Sequence, residues 1–66
     1  MKIMLNGKSH EVGEGTTLGA FLDNLGIAPQ GVAVAINYEV VPKDAWNDTV
    51  LTDGVELMLI TAVSGG

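Results

Sequence analysis

The residues best suited to chemistry in this 66-residue chain are its last two, Gly65-Gly66, which follow Val63 and Ser64 at the end of an apolar, strand-like run. Glycine has no side chain, so an extended end built from two of them can thread a narrow active site and present its carboxylate to a reactant. On that reading the tail is a substrate and Gly66 carries the reacting group. On spacing alone, a frayed end without a role is an equal alternative. The other reactive groups are isolated. His10 lies in a predicted strand beside Glu11, with no further ligand or base at a useful spacing, and reads as an exposed strand histidine. Ser9 and Ser64 have no base near them in sequence, and there is no cysteine to supply a thiolate. Gly13-Glu14-Gly15 lacks the later glycine and lysine of a phosphate loop and reads as a turn. No catalytic residue and no metal site is expected among the side chains, and an enzyme in its own right is not expected.

Composition narrows the partners. With three lysines, no arginine and eight carboxylates the net charge is −5, so the groups that neutralise phosphates in nucleic-acid binding are nearly absent. The longest apolar run, Val32 to Ile36, is far shorter than the roughly 20 residues that cross a bilayer. Neither nucleic acid nor a membrane is an expected partner. No export signal is visible at the amino end, where Asn6-Gly7 interrupts the first apolar stretch, and a cytoplasmic location is expected. Sixty-six residues, 47% of them apolar, suit one small domain stabilised by burial, because disulfides are excluded.

The elements that must position the tail follow from local pattern. Asn6-Gly7 between Lys2–Leu5 and Lys8–Val12 is a strong hairpin signal, since both turn residues accept positive φ. Thr16-Thr17 offers a helix cap, Leu18, Phe21, Leu22 and Leu25 recur on one helical face, and Gly26 stands where a helix would end. Val32–Ile36 reads as a buried central strand with its larger, β-branched face toward the helix. Asn37-Tyr38 turns the chain into a short strand, Glu39–Val41, that Pro42 ends, and Lys43–Trp46 reads as a helical turn or loop. Asp53-Gly54 precedes a last strand, Val55 to Val63. There Val55, Leu57, Leu59 and Val63 are expected to face the core, and Glu56, Met58, Ile60 and Ala62 the solvent. The expected architecture is α+β, a mixed sheet of about five strands packed on one main helix.

A flexible end must be positioned by a rigid surface beside it. Met58, Ile60 and Ala62, apolar residues on the solvent side of the last strand, are the expected partner interface. Trp46 is expected to be a packing anchor.

Val34-Ala35-Ile36-Asn37, Val40-Val41-Pro42, Trp46, Asp53-Gly54 and the closing Gly65-Gly66 together resemble the ThiS family, the sulfur carriers of thiamine biosynthesis, whose fold is the ubiquitin-like β-grasp. The resemblance spans residues 1–66 as a single β-grasp domain with a flexible tail at 64–66. It departs from the family pattern at Val55, where an acidic residue often follows Asp-Gly, and at Ser64 before the glycines.

The resemblance implies that a ThiF-type adenylyltransferase joins the Gly66 carboxylate to AMP from MgATP. A persulfide donor, a cysteine desulfurase or related protein, then displaces AMP to leave a thiocarboxylate, and thiazole synthase takes up that sulfur. Ser64 and Gly65 would form the tail entering these active sites, and no cofactor would be bound permanently. Two rivals remain at this point: a sulfur carrier for another pathway, such as the small subunit of molybdopterin synthase, and a ubiquitin-like binding module or modifier.

Overall fold

The computed structural model describes residues 1–27 and 30–61. Strands β1 (Lys2–Leu5) and β2 (Lys8–Glu11) form the expected hairpin, with Ile3 opposite His10 and Leu5 opposite Lys8. The turn between them has φ of 50° at Asn6 and 84° at Gly7, the doubly positive geometry that matches strand twist.

Helix α1 (Leu18–Asn24) starts at Thr17, whose hydroxyl oxygen accepts the Ala20 N–H at 3.2 Å. It ends in a Schellman motif: Gly26, at φ +75°, donates to the Asp23 carbonyl at 3.0 Å, and Ile27 donates to Leu22 at 3.0 Å. Leu18, Phe21 and Leu22 are buried as their spacing predicts. Leu25 is not: it falls at the helix's C-cap and is 41% exposed, because the chain has already begun to turn away from the sheet.

Strand β3 (Val32–Ile36), a second hairpin partner β4 (Glu39–Val41) and β5 (Glu56–Thr61) complete a five-stranded sheet in the order β2-β1-β5-β3-β4. β5, not β3, therefore occupies the centre, parallel to β1 and antiparallel to β3. Pro42 ends β4 and caps a 3-10 helix (Lys43–Asp48) that packs against α1. Gly54, at φ +80°, turns the chain into β5, and Asp53 secures that turn by accepting the Lys2 N–H at 2.9 Å.

The sheet's inner face and α1 enclose the core, centred on the fully buried Ile3, Leu18, Leu22, Val34 and Leu57. Burying each such side chain is worth about 1.5–3 kcal/mol. Trp46 closes one side of the core as an anchor, 5% exposed, with its indole N–H donated to the Val41 carbonyl at 3.0 Å. His10 differs from expectation. Its pairing opposite buried Ile3 turns it to the core face, where it is half-buried with its ring edge-on to Phe21 at 5.5 Å between centroids.

Candidate functional site

The sequence points to the end of the chain, and β5 is the element that leads there. Its alternation is as expected: Leu57 is buried and Leu59 half-buried against the core, whereas Met58 is 37% and Ile60 48% exposed. Both predicted interface residues within the described part of the chain thus stand on the open face of the sheet. Ala62, Ser64, Gly65 and Gly66 lie outside the described residues, as does Val63.

Register extends the patch beyond what single-strand alternation could identify. Met58 pairs with Ala35 and Ile60 with Ala33, and Ala35 pairs in turn with Val40, so these side chains share one face. Val40 is 63% exposed, and Met4, opposite Glu56 on the other flank, adds to the same surface. Ala33 and the buried Ala35 lie between the larger residues, so the face is apolar across three strands. Charge lies at its margins, with Glu56 at one end and Lys2 and Glu11 on the β1–β2 side.

What holds β5 in place is distributed along both of its edges. On one side β3 pairs with it over five positions, from Ile36 opposite Leu57 to Val32 opposite Thr61. On the other side β1 stops at Leu5, and the Asn6 side chain takes over: its carbonyl oxygen accepts the Leu59 N–H at 2.8 Å, and its amide donates to the Leu59 carbonyl at 3.3 Å. The carboxamide thereby supplies one more peptide-like rung to the strand that carries the tail. Asn6 was read from sequence only as a turn residue; its preference for the left-handed region gave no sign of this second role.

Among the described residues the interior offers no competing site. Among the described residues no polar or charged side chain is buried, and no group of three or more histidine, aspartate or glutamate side chains gathers at metal-ligand distances. A surface hollow of about 440 Å³ lies between α1 and the 3-10 helix, lined by Gly19, Leu22, Asp23, Ile27, Lys43, Trp46 and Asn47, away from the open face on the far side of the sheet. Among the described residues no helix is long and apolar enough to cross a membrane.

Comparison with known proteins bears on the same region. The ThiS family model matches residues 3–66. The sulfur carrier protein ThiS of Escherichia coli (strain K12) is 30% identical over 66 residues, covering all of both chains. A thiazole synthase of Magnetococcus marinus is 39% identical over the same 66 residues and one of Paramagnetospirillum magneticum 33%, and this chain spans 20% of the length of each. The crystal structure of the thiamine biosynthesis protein ThiS from Geobacter metallireducens superposes with a TM-score of 0.85 at 29% identity, with all of both chains covered.

Proposed function

Because this chain belongs to the ThiS family, β-grasp sulfur carriers of thiamine biosynthesis that are small carrier proteins rather than catalysts, we propose that its Gly66 carboxylate is the atom group that carries the sulfur. A carboxylate is a poor electrophile. A ThiF-type adenylyltransferase activates it: a Gly66 oxygen attacks the α-phosphorus of ATP, held as its magnesium salt, and pyrophosphate leaves. The terminal sulfur of a persulfide donor then attacks the acyl carbon and AMP departs. Cleavage of the resulting S–S bond by a thiol, which supplies the two electrons, leaves the thiocarboxylate. Thiazole synthase receives the sulfur, and hydrolytic return of the carboxylate resets the carrier.

Each part of the chain has a role in this scheme. Ser64 and Gly65 form the narrow tail that enters the partner's active site. Met58, Ile60 and Ala62, with the neighbouring Val40 and Met4, dock on the partner so that the tail is aimed. The fold contributes rigidity, and the chemistry is placed on the adenylyltransferase and the synthase, in the cytoplasm.

The observation that carries the reading is the family match over residues 3–66, which takes in Gly65-Gly66. The two thiazole synthases that align with all of this chain favour a thiazole acceptor over the molybdopterin pathway. The test is to present the thiocarboxylate form to purified thiazole synthase and, separately, to the large subunit of molybdopterin synthase. Sulfur lost only to the first supports the reading; sulfur lost only to the second replaces it.

A further inference from the structure

Asn6-Gly7 is the one Asn-Gly pair in the chain; the other asparagines precede Leu25, Tyr38 and Asp48. The pairing matters chemically, because a backbone nitrogen can attack the carboxamide of the residue before it, and a glycine nitrogen is the least hindered. At this turn the nucleophile is ready. The Gly7 N–H donates to no acceptor among the described residues. Asn6 and Gly7 are both exposed, and nothing lies within 4 Å of where a Gly7 Cβ would stand, so water reaches the site.

The electrophile is held back. Both polar atoms of the Asn6 carboxamide are engaged by the Leu59 backbone, at 2.8 Å and 3.3 Å, and the Asn6 N–H is donated to the Leu57 carbonyl at 2.9 Å. Leu57 is fully buried, so Asn6 is tied to a strand anchored in the core. Attack by Gly7 makes the carboxamide carbon tetrahedral and expels its nitrogen, the atom that donates to Leu59. The reaction therefore destroys the planar group on which both Leu59 bonds depend, and those bonds must open first.

We propose that Asn6 is a latent deamidation site: local release of its carboxamide from Leu59 starts an intramolecular reaction whose product cannot rebuild that pair of bonds. The Gly7 nitrogen gives its proton to the solvent and bonds to the Asn6 Cγ, the bond from Cγ to the amide nitrogen breaks, and ammonia leaves with a proton. Water then opens the resulting succinimide at either carbonyl, to aspartate or isoaspartate. One water is consumed and one ammonia released, with no oxidant or reductant. The inference requires neither the cargo nor the partners proposed above.

Either product unpins β5. Aspartate still accepts the Leu59 N–H but sets a carboxylate against the Leu59 carbonyl, where an amide donated. Isoaspartate routes the backbone through the former side chain, which adds a methylene to a two-residue turn and leaves its carboxylate directly on Cα, with a shorter reach toward Leu59. Both add a negative charge to a chain already at −5. A transient opening is thereby converted into a permanent one.

The experiment follows the full chain in mildly alkaline buffer, folded and in urea, by peptide mapping that resolves asparagine, aspartate and isoaspartate, together with hydrogen exchange at Leu59. Conversion in urea is expected at Asn6 ahead of Asn24, Asn37 and Asn47, and in the folded chain it should be slower by about fivefold or more. Modified chains should exchange the Leu59 N–H faster than the parent. Trp46→Phe, which weakens the fold through the Val41 carbonyl, separates local from global opening. Its folded-state rate at Asn6 should stay within about twofold of the parent, whereas release through whole-domain unfolding would raise it by about fivefold or more. Folded-state protection below about fivefold, no conversion at Asn6 in urea, or unchanged Leu59 exchange in the modified chain overturns the proposal. So does a rate in Trp46→Phe more than about twofold above the parent, since the whole domain and not the Leu59 bonds would then guard the site.

Discussion

The Asn6 carboxamide is paired with the backbone of Leu59 through both of its polar atoms, at 2.8 Å and 3.3 Å, across 53 residues of sequence. A turn residue of the first hairpin thereby splints the last strand two residues before that strand's final position, Thr61. The opposite edge is held by β3, so the segment leading to the tail is supported from both sides.

Asn6→Asp tests that splint. Aspartate tolerates the left-handed turn and still accepts the Leu59 N–H, but it sets a carboxylate against the Leu59 carbonyl where an amide donated. A loss of about 1–2 kcal/mol is expected in denaturant unfolding. Faster hydrogen exchange at Leu59 than at Ile3 should accompany it.

Trp46 is expected to matter for stability alone. Trp46→Phe keeps most of the packing but leaves the Val41 carbonyl without its donor, at a cost of about 1–3 kcal/mol. For a chain of this length, whose total stability is on the order of 3–10 kcal/mol, that should lower the urea midpoint clearly. Sulfur loading measured at a temperature where the variant remains folded should be unchanged.

Gly19 and Asn47 should be energetically coupled. Alanine at position 19 gains roughly 1 kcal/mol in helix propensity, yet its Cβ would overlap the Asn47 side-chain oxygen. Because Asn47 is exposed, that side chain can swing aside at some cost. Gly19→Ala is therefore expected to stabilise more in an Asn47→Ala background than in the parent, and a double-mutant cycle with no coupling term would refute the close approach.

On the open face, Met58→Lys and Ile60→Lys are expected to change unfolding free energy by no more than about 1 kcal/mol, because both side chains are already partly solvated. Loading by the adenylyltransferase should fall by about tenfold or more, since a charge would be buried at the docked surface. Equal loading by parent and variants would place the interface elsewhere. Gly65→Ala, by contrast, should slow adenylation by obstructing the channel while leaving folding untouched.

How much of this was legible in the sequence depends on the range of the interactions involved. Thr17, the Leu18/Phe21/Leu22 spacing and Gly26 mark the helix because capping and amphipathicity act within a few residues. Asn6-Gly7 and Asn37-Tyr38 mark both hairpins for the same reason. The central place of β5 was not readable, since it rests on β1 pairing with a strand fifty-odd residues away, and local pattern carries no information about that. His10 shows the same limit: its type says nothing about the face it occupies, which the register with Ile3 decides. At the candidate site, alternation located Met58 and Ile60, whereas Val40, Met4 and the Asn6 splint required the sheet order. Gly66 lies outside the described residues, and its role remains the proposal made above from the nature of glycine and a terminal carboxylate.

The most direct measurement is the intact mass of the protein after incubation with MgATP, a ThiF-type adenylyltransferase and a persulfide donor, beside a form lacking Gly66. The account predicts a gain equal to exchange of one oxygen for sulfur in the full chain and no gain in the shortened one. An unchanged full-length mass, with the same partners active on a known carrier, would contradict it.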